Sequence, residues 1–417
     1  RLSQIHGKYD INKWPSGKTI YIYGLSIFQY LNNKYGKNKI IEISKEFSKD
    51  PRKGISAIFK QVLGLSLDQV YHNWLSKKSE EIRALNNDKR NLTDSIKQLT
   101  TTGWTTKNPV VDPDRGYIYY VHRGNKFPSI RKIKEDKEDQ HLLSAVIPAG
   151  ERISLSPDRK YMLYPSLDYY KKENLYYDLY VYDLDTKEEK RVTEGERAYS
   201  PQWINSNEIV YITQNKAVTN IVVRDIKTNS VETILYGDFS YSFSHLSISP
   251  DSSKLLFSLW CQGKRDIYLY DFTTKEVKPV IIDDYINIFP IWSPDCDYIL
   301  FSSNRNNIFN LYAYSIEKHK MYQVTDLVTG AFESVVFNNK IIFVGYSKEG
   351  FNLFSMDYNL DNWQLIENFS NEIVKINVAE TLKKEKNNFN TNTKQYQIKE
   401  YSPTDSLKPA YWIPTFS

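Results

Sequence analysis

Between residues 105 and 370, apolar positions fall in short runs, many alternating with polar ones, and each run is bounded by turn-forming residues. That pattern predicts β-strands rather than helices. The runs are themselves periodic. "ISLSPDRKYMLYPSL" (153–167), "LSISPDSSKLLFSLW" (246–260) and "PIWSPDCDYILFSSN" (290–304) each set a Pro-Asp turn between two apolar segments. Aligned on that turn, Pro113, Pro157, Asn205, Pro250, Pro294 and Asn338 follow one another at 44, 48, 45, 44 and 44 residues. Within a unit, a third strand with alternating aromatics follows ("DLYVYDLDT", "DIYLYDFTT", "NLYAYSIEK"), then a fourth such as "EEKRVTE", "EVKPVII" or "KMYQVTD". A period in the forties with four antiparallel strands per unit predicts propeller blades. The fold class is therefore mainly β: a six-bladed β-propeller with a small N-terminal α-helical subdomain. Inner strands are expected to start near Asn108, Arg152, Ser200, His245, Phe289 and Glu333. Open edges invite aggregation, so "SIKQLTTTG" (95–103), which reads as an outermost strand, is expected to close the ring against the last blade.

The first ninety residues have a different period. "TIYIYGLSIFQYLNNKYG" (19–36) carries Ile22, Leu25, Phe28, Tyr30 and Leu31 at helical spacing and ends on Gly36 as a C-cap. Residues 38–49 and 54–64 predict two more helices, and Ser66 caps a fourth beginning at Leu67. From 371 the repeat stops: 382–395 is polar and reads as a linker, and "YSPTDSLKPAYWIPTFS" (401–417) is an extended Pro-rich tail. The expected domains are 1–92, 93–370 and 371–417.

The Pro of each turn presets φ and the Asp bonds its own backbone, so these turns are expected to hold shape rather than ligands. With 41 % apolar residues among 417 the chain builds real cores, and a net charge of +5, scattered, gives no nucleic-acid footprint. No apolar run approaches the ~18 residues of a membrane helix. The opening Arg1-Leu2-Ser3 suggests a mature or excised piece of something longer. Cys261 and Cys296 have no metal-ligand spacing and fall in loop types that open on opposite faces, so no bridge between them is expected.

The phrase Ser-Pro-Asp, Tyr-Ile-Leu-Phe-x-Ser, Asn-Leu-Tyr-x-Tyr, x-Val-Thr resembles TolB-like (WD40-like) β-propeller repeats of bacterial envelope proteins. Where that family has Gly after the turn Asp, this chain has Arg159, Ser252 and Cys296. Tyr21, Gly24, Leu31, Tyr35-Gly36, Gly64, Ser66 and Trp74 resemble the C-terminal helical part of peptidase MA-like gluzincins. The tail is similar to the phrase that precedes an outer-membrane barrel in proteins joining all three parts. These resemblances imply a periplasmic, outer-membrane-associated protein.

Catalytic chemistry has little footing. No His-Glu-x-x-His and no pair of the six histidines four apart on one helix exists, so no zinc site is expected, nor any other cofactor. No Gly-x-Ser-x-Gly elbow or phosphate loop is present. By resemblance Tyr21 is the single catalytic candidate, as an oxyanion-steadying tyrosine; a core tyrosine is the plainer reading. Three functions remain open: a binding or scaffold propeller for a protein or peptide partner in the cell envelope, the end of a zinc peptidase whose metal site lies upstream, or a gating propeller without its hydrolase. For the first, Tyr169, Tyr170, Tyr199, Phe239, Tyr241, Phe243, Tyr285 and Phe289 share one loop face, with Arg152, His245 and Glu333 at the mouth of the central ring.

Overall fold

The Ser of each Ser-Pro-Asp turn is what closes it. Ser156 Oγ donates to Asp158 (2.6 Å) and accepts the Tyr161 N–H (2.9 Å). Ser249 repeats this with Asp251 and the Lys254 N–H (2.6 and 2.9 Å). Ser293 does the same with Asp295 and the Tyr298 N–H. The carboxylates are thus used inside the turn. The residue after each Asp is left-handed: Arg159 (φ 58°), Ser252 (59°) and Cys296 (63°). A side chain there crowds the following carbonyl. Ser252→Gly is therefore expected to raise stability by about 1 kcal/mol, the left-handed strain outweighing glycine's extra unfolded freedom. An unmoved urea midpoint would show the turn to be unstrained.

The computed structural model describes residues 19–87, 96–124, 126–134, 138–147, 151–367 and 369. The sequence's expectations for 1–18 and for the tail beyond 370 lie outside these. Six antiparallel sheets form the propeller. Their innermost strands are Thr105–Asp112, Ser154–Leu155, Tyr199–Trp203, Tyr241–Ile248, Asn287–Trp292 and Ala331–Phe337. Most of them start a few residues before the positions expected, because those positions are bulges rather than strand ends. Register shifts fall between Lys107 and Val110, Tyr199 and Gln202, Ser244 and Ser247, Ile288 and Ile291, and Phe332 and Val335. Asn108, Ser200, His245, Phe289 and Glu333, all at positive φ, sit inside them. The second blade has only a two-residue inner strand, two positions past Arg152.

A second device repeats on the opposite face. In the third strand of a blade, a buried Asp or Asn holds the segment that leads on to the next blade. Asp178 accepts from Thr193 Oγ1 (2.8 Å), Gly195 N (2.7 Å) and Glu196 N (3.1 Å). Asn310 accepts from Thr325 Oγ1 (2.8 Å) and Leu327 N (2.9 Å). The same geometry closes the ring. Asn352 of the sixth blade accepts from Thr100 Oγ1 (3.1 Å) and Gly103 N (3.0 Å), while Lys97–Gln98 pairs with that blade's third strand. Residues 96–103 thus supply the missing outermost strand, as expected from the sequence of 95–103. Cores form between neighbouring blades, for example Val210, Leu235, Phe243, Phe257 and Tyr270.

Among the described residues, the N-terminal part holds four α-helices: α1 (Thr19–Tyr35), α2 (Lys37–Lys49), α3 (Ile55–Leu63) and α4 (Leu67–Asn87). Gly36 and Gly64 end helices at positive φ. Ser66 and Gln69 form a reciprocal capping box: Gln69 N to Ser66 Oγ, 3.2 Å, and Ser66 N to Gln69 Oε1, 2.8 Å. The core of this part comprises Tyr30, Leu31, Ile43, Ile58, Phe59, Val62, Val70 and Trp74. Ile22, Leu25 and Phe28 lie on a different side of α1 and are exposed, so the apolar spacing read from the sequence joins two faces of that helix.

Candidate functional site

The bulges gather side chains from five of the six blades around the propeller axis. Asn108, Ser200, His245, Phe289 and Glu333 are all buried there. Neighbours touch: the Asn108 N–H donates to Glu333 Oε2 (2.6 Å), and the His245 and Phe289 rings stand 4.1 Å apart. The Asn108 amide also donates to the Glu151 carbonyl. Arg152 takes the second blade's place in this ring. Its guanidinium donates to the Pro290 carbonyl (3.1 Å) on the fifth blade, diametrically opposite, so it crosses the channel. Lys107 faces Glu333 Oε1 at 3.8 Å.

Beyond this ring, toward the Pro-Asp turns, opens a cavity of about 930 Å³ with Asn108, Arg152 and Glu333 among the residues that line it. Its walls include Ile153, Leu155, Trp203, Ile248, Ile291 and Trp292, and Pro113, Pro157, Pro250 and Pro294 stand at its rim. An apolar wall with a few convergent polar groups at this size is the composition of a ligand pocket, typically ~300–1,000 Å³.

The electrostatics of the ring are uneven. Burial pushes the Glu151 carboxyl up to about 8, against the pull of Arg152. Burial also lowers Arg152 to about 10, despite Glu333 and Glu151. His245 is held well below its ordinary value by burial and by Arg152, Arg265 and Lys107. Four buried atoms here find no hydrogen-bond partner among the described residues: Asn108 Oδ1, Glu151 Oε2, His245 Nδ1 and Glu333 Oε1. Buried polar atoms in that state have donor or acceptor capacity left over. Among the described residues no group of three or more His, Cys, Asp or Glu is arranged for a metal ion, and no helix is long and apolar enough to cross a membrane.

Of the residues singled out by sequence, Arg152, His245, Phe289 and Glu333 converge on this ring. Tyr169, Phe239 and Tyr285 are exposed, at 62, 65 and 41 %. Phe243 does not belong to a surface: it is buried against Phe257 (5.6 Å), because the strand pleat turns it into the core between blades. Phe289 is likewise buried by its contact with His245. Tyr170 stacks on Tyr176 (5.7 Å), while Tyr199 and Tyr241 are half-buried against the core around Phe243. Tyr21 is 78 % exposed, so it is no core tyrosine; Tyr23 and Tyr71 are the ones that pack on Trp74. Glu151, Lys107 and Arg265 were not foreseen. Lys107 and Glu151 each precede a ring position, Asn108 and Arg152, a signal visible only once the ring is known.

A six-bladed propeller with a charged axial ring and an apolar-walled funnel is the class of protein that fold and site define. The family model described as PD40, TolB beta propeller domain, matches residues 167–373, and the chain carries a propeller of this TolB type. Among solved structures, TolB from Acinetobacter baumannii is similar at 17 % identity and TM-score 0.45, over 61 % of this chain and 66 % of that one. A putative TolB from Agrobacterium tumefaciens is similar at 16 % identity and TM-score 0.46, over 55 and 83 %. A puromycin hydrolase is similar at 9 % identity and TM-score 0.48, over 66 and 57 %. At these identities the likeness is one of fold alone. No curated protein sequence matches the chain.

Proposed function

We propose that this chain is a non-catalytic, partner-binding propeller of a larger bacterial cell-envelope protein, acting in the periplasm and receiving a protein or peptide segment in its axial funnel. The observation that carries the reading is the cavity of about 930 Å³, apolar at the wall and polar at the floor. The TolB-type match supports the envelope setting. In the same reading the helical part completes a gluzincin-like domain, and the Pro-rich tail leads to an outer-membrane barrel; flanking coding sequence with His-Glu-x-x-His upstream or alternating barrel strands downstream tests both.

Gln202 lines the funnel and is half-buried. Gln202→Trp is expected to narrow it and to reduce recovery of the partner from envelope extract by about fivefold, roughly 1 kcal/mol, with unchanged thermal unfolding. Undiminished recovery, with loss instead on Tyr169→Ala and Tyr285→Ala, would move binding to the aromatic loop face.

A further inference from the structure

Arg152 is a cation on which Glu333 and Glu151 act only from beyond ion-pair distance. Its one hydrogen bond goes to a backbone carbonyl, and among the described residues no carboxylate stands within ion-pair distance of it. A guanidinium carries five donors in a planar fork that matches a carboxylate. Here the fork lies on the floor of the funnel, half-buried, with the cavity before it. Arginine in such surroundings is costly unless something else supplies the charge.

The other charges near the axis do not supply it. Glu333 is already paired: its Oε2 accepts the Asn108 N–H, and Lys107 stands 3.8 Å from its Oε1, at ion-pair distance. Burial favours the neutral form of the Glu151 carboxyl. Arg265 and Lys107 add positive potential from deeper in the channel, and the depressed basicity of His245 registers all three cations. Around neutral pH the axis therefore sets Lys107, Arg152 and Arg265 against Glu333 alone. Near the axis, Glu151 Oε2 and His245 Nδ1 find no hydrogen-bond partner among the described residues.

We propose that the floor of the funnel is a carboxylate receptor, in which Arg152 binds the anionic end or an acidic side chain of a peptide whose apolar residues lie against Trp203, Ile248, Ile291 and Trp292. This rests on the peptide-binding reading and specifies its ligand. A terminal carboxylate and an Asp or Glu side chain share the chemistry, and the experiment separates them.

The full chain is immobilised and offered N-acetylated hexapeptide pools of random sequence. One pool has free carboxyl ends, one is amidated, and an amidated third pool lacks Asp and Glu. Retention of the free-acid pool about tenfold above the amidated one assigns a terminal carboxylate, and equal retention of those two with loss of the third assigns an acidic side chain. Either result supports the receptor only if Arg152→Gln lowers retention about tenfold while Arg152→Lys restores part of it, at unchanged circular dichroism and thermal midpoint. Equal retention of all three pools overturns the carboxylate receptor and leaves peptide binding standing. Retention of none overturns both. If Arg152→Gln does not fold, competition of the retained pool by millimolar succinate against succinamide gives the same decision on the unaltered chain: equal competition overturns the receptor.

Discussion

Asp178→Ala is expected to lower the stability of the propeller by about 3–4 kcal/mol, more than any truncation of an exposed aromatic. Asp178 is fully buried and accepts four hydrogen bonds, from Arg191 Nη2 (2.6 Å), Thr193 Oγ1, Gly195 N and Glu196 N. Removing it strands two backbone donors and a hydroxyl, each costing about 1–3 kcal/mol when buried unpaired. Arg191 keeps Asp168 at 3.3 Å, which moderates the loss of the ion pair. The effect reaches the axis, because Glu196 lies only four residues before Ser200 of the ring. Asp178→Asn keeps the shape and one acceptor, so it is expected to recover about half of the loss. Urea unfolding of the two variants is the measurement; an alanine variant within 1 kcal/mol of the parent would show that the loop carries its own hydrogen bonds.

The blade count and ring closure were legible because they are written in local chemistry. Ser-Pro-Asp at a fixed interval encodes its own turn, and "QLT" in 98–100 repeats the ending seen in "YQVT" at 322–325, which is why both threonines meet a buried Asn. The axial ring was legible only in part. Arg152, His245, Phe289 and Glu333 were found as strand starts, since alignment on the turn gives their position, yet nothing in a strand pattern announces a left-handed bulge at His245 or Glu333. The aromatic face was misjudged at Phe243 because loop and strand residues look alike near a boundary, and a shift of one residue reverses which side chain enters the core. The funnel itself has no sequence signature. Val111, Leu155, Trp203, Ile291 and Val335 read as ordinary inner-strand residues, and only closure of the ring makes them one wall.

That closure depends on a contact that tolerates no side chain. At Gly350 (φ 122°) a Cβ would fall on the backbone of Trp104, whose carbonyl accepts the Phe351 N–H (2.8 Å) and whose N–H donates to Glu349 O (2.7 Å). Gly350→Ala is therefore expected to cost about 3–5 kcal/mol, from the strained φ and from displacement of the segment that joins the first blade to the last. Asn352→Ala, which leaves Gly103 N and Thr100 Oγ1 without their acceptor but fits sterically, is expected to cost about 2 kcal/mol at the same seam. If the seam is what keeps the ring shut, both variants do more than lose stability. Each exposes the unpaired edge of the sixth blade's third strand, so each is expected to be cut early by protease between 97 and 104 and to self-associate on gel filtration below its unfolding midpoint. Gly345→Ala is the control, since its Cβ meets only the Phe354 and Phe343 side chains inside the same blade. A loss of stability in Gly350→Ala no larger than in that control, with the chain still monomeric, would mean that the blades hold the ring without the seam.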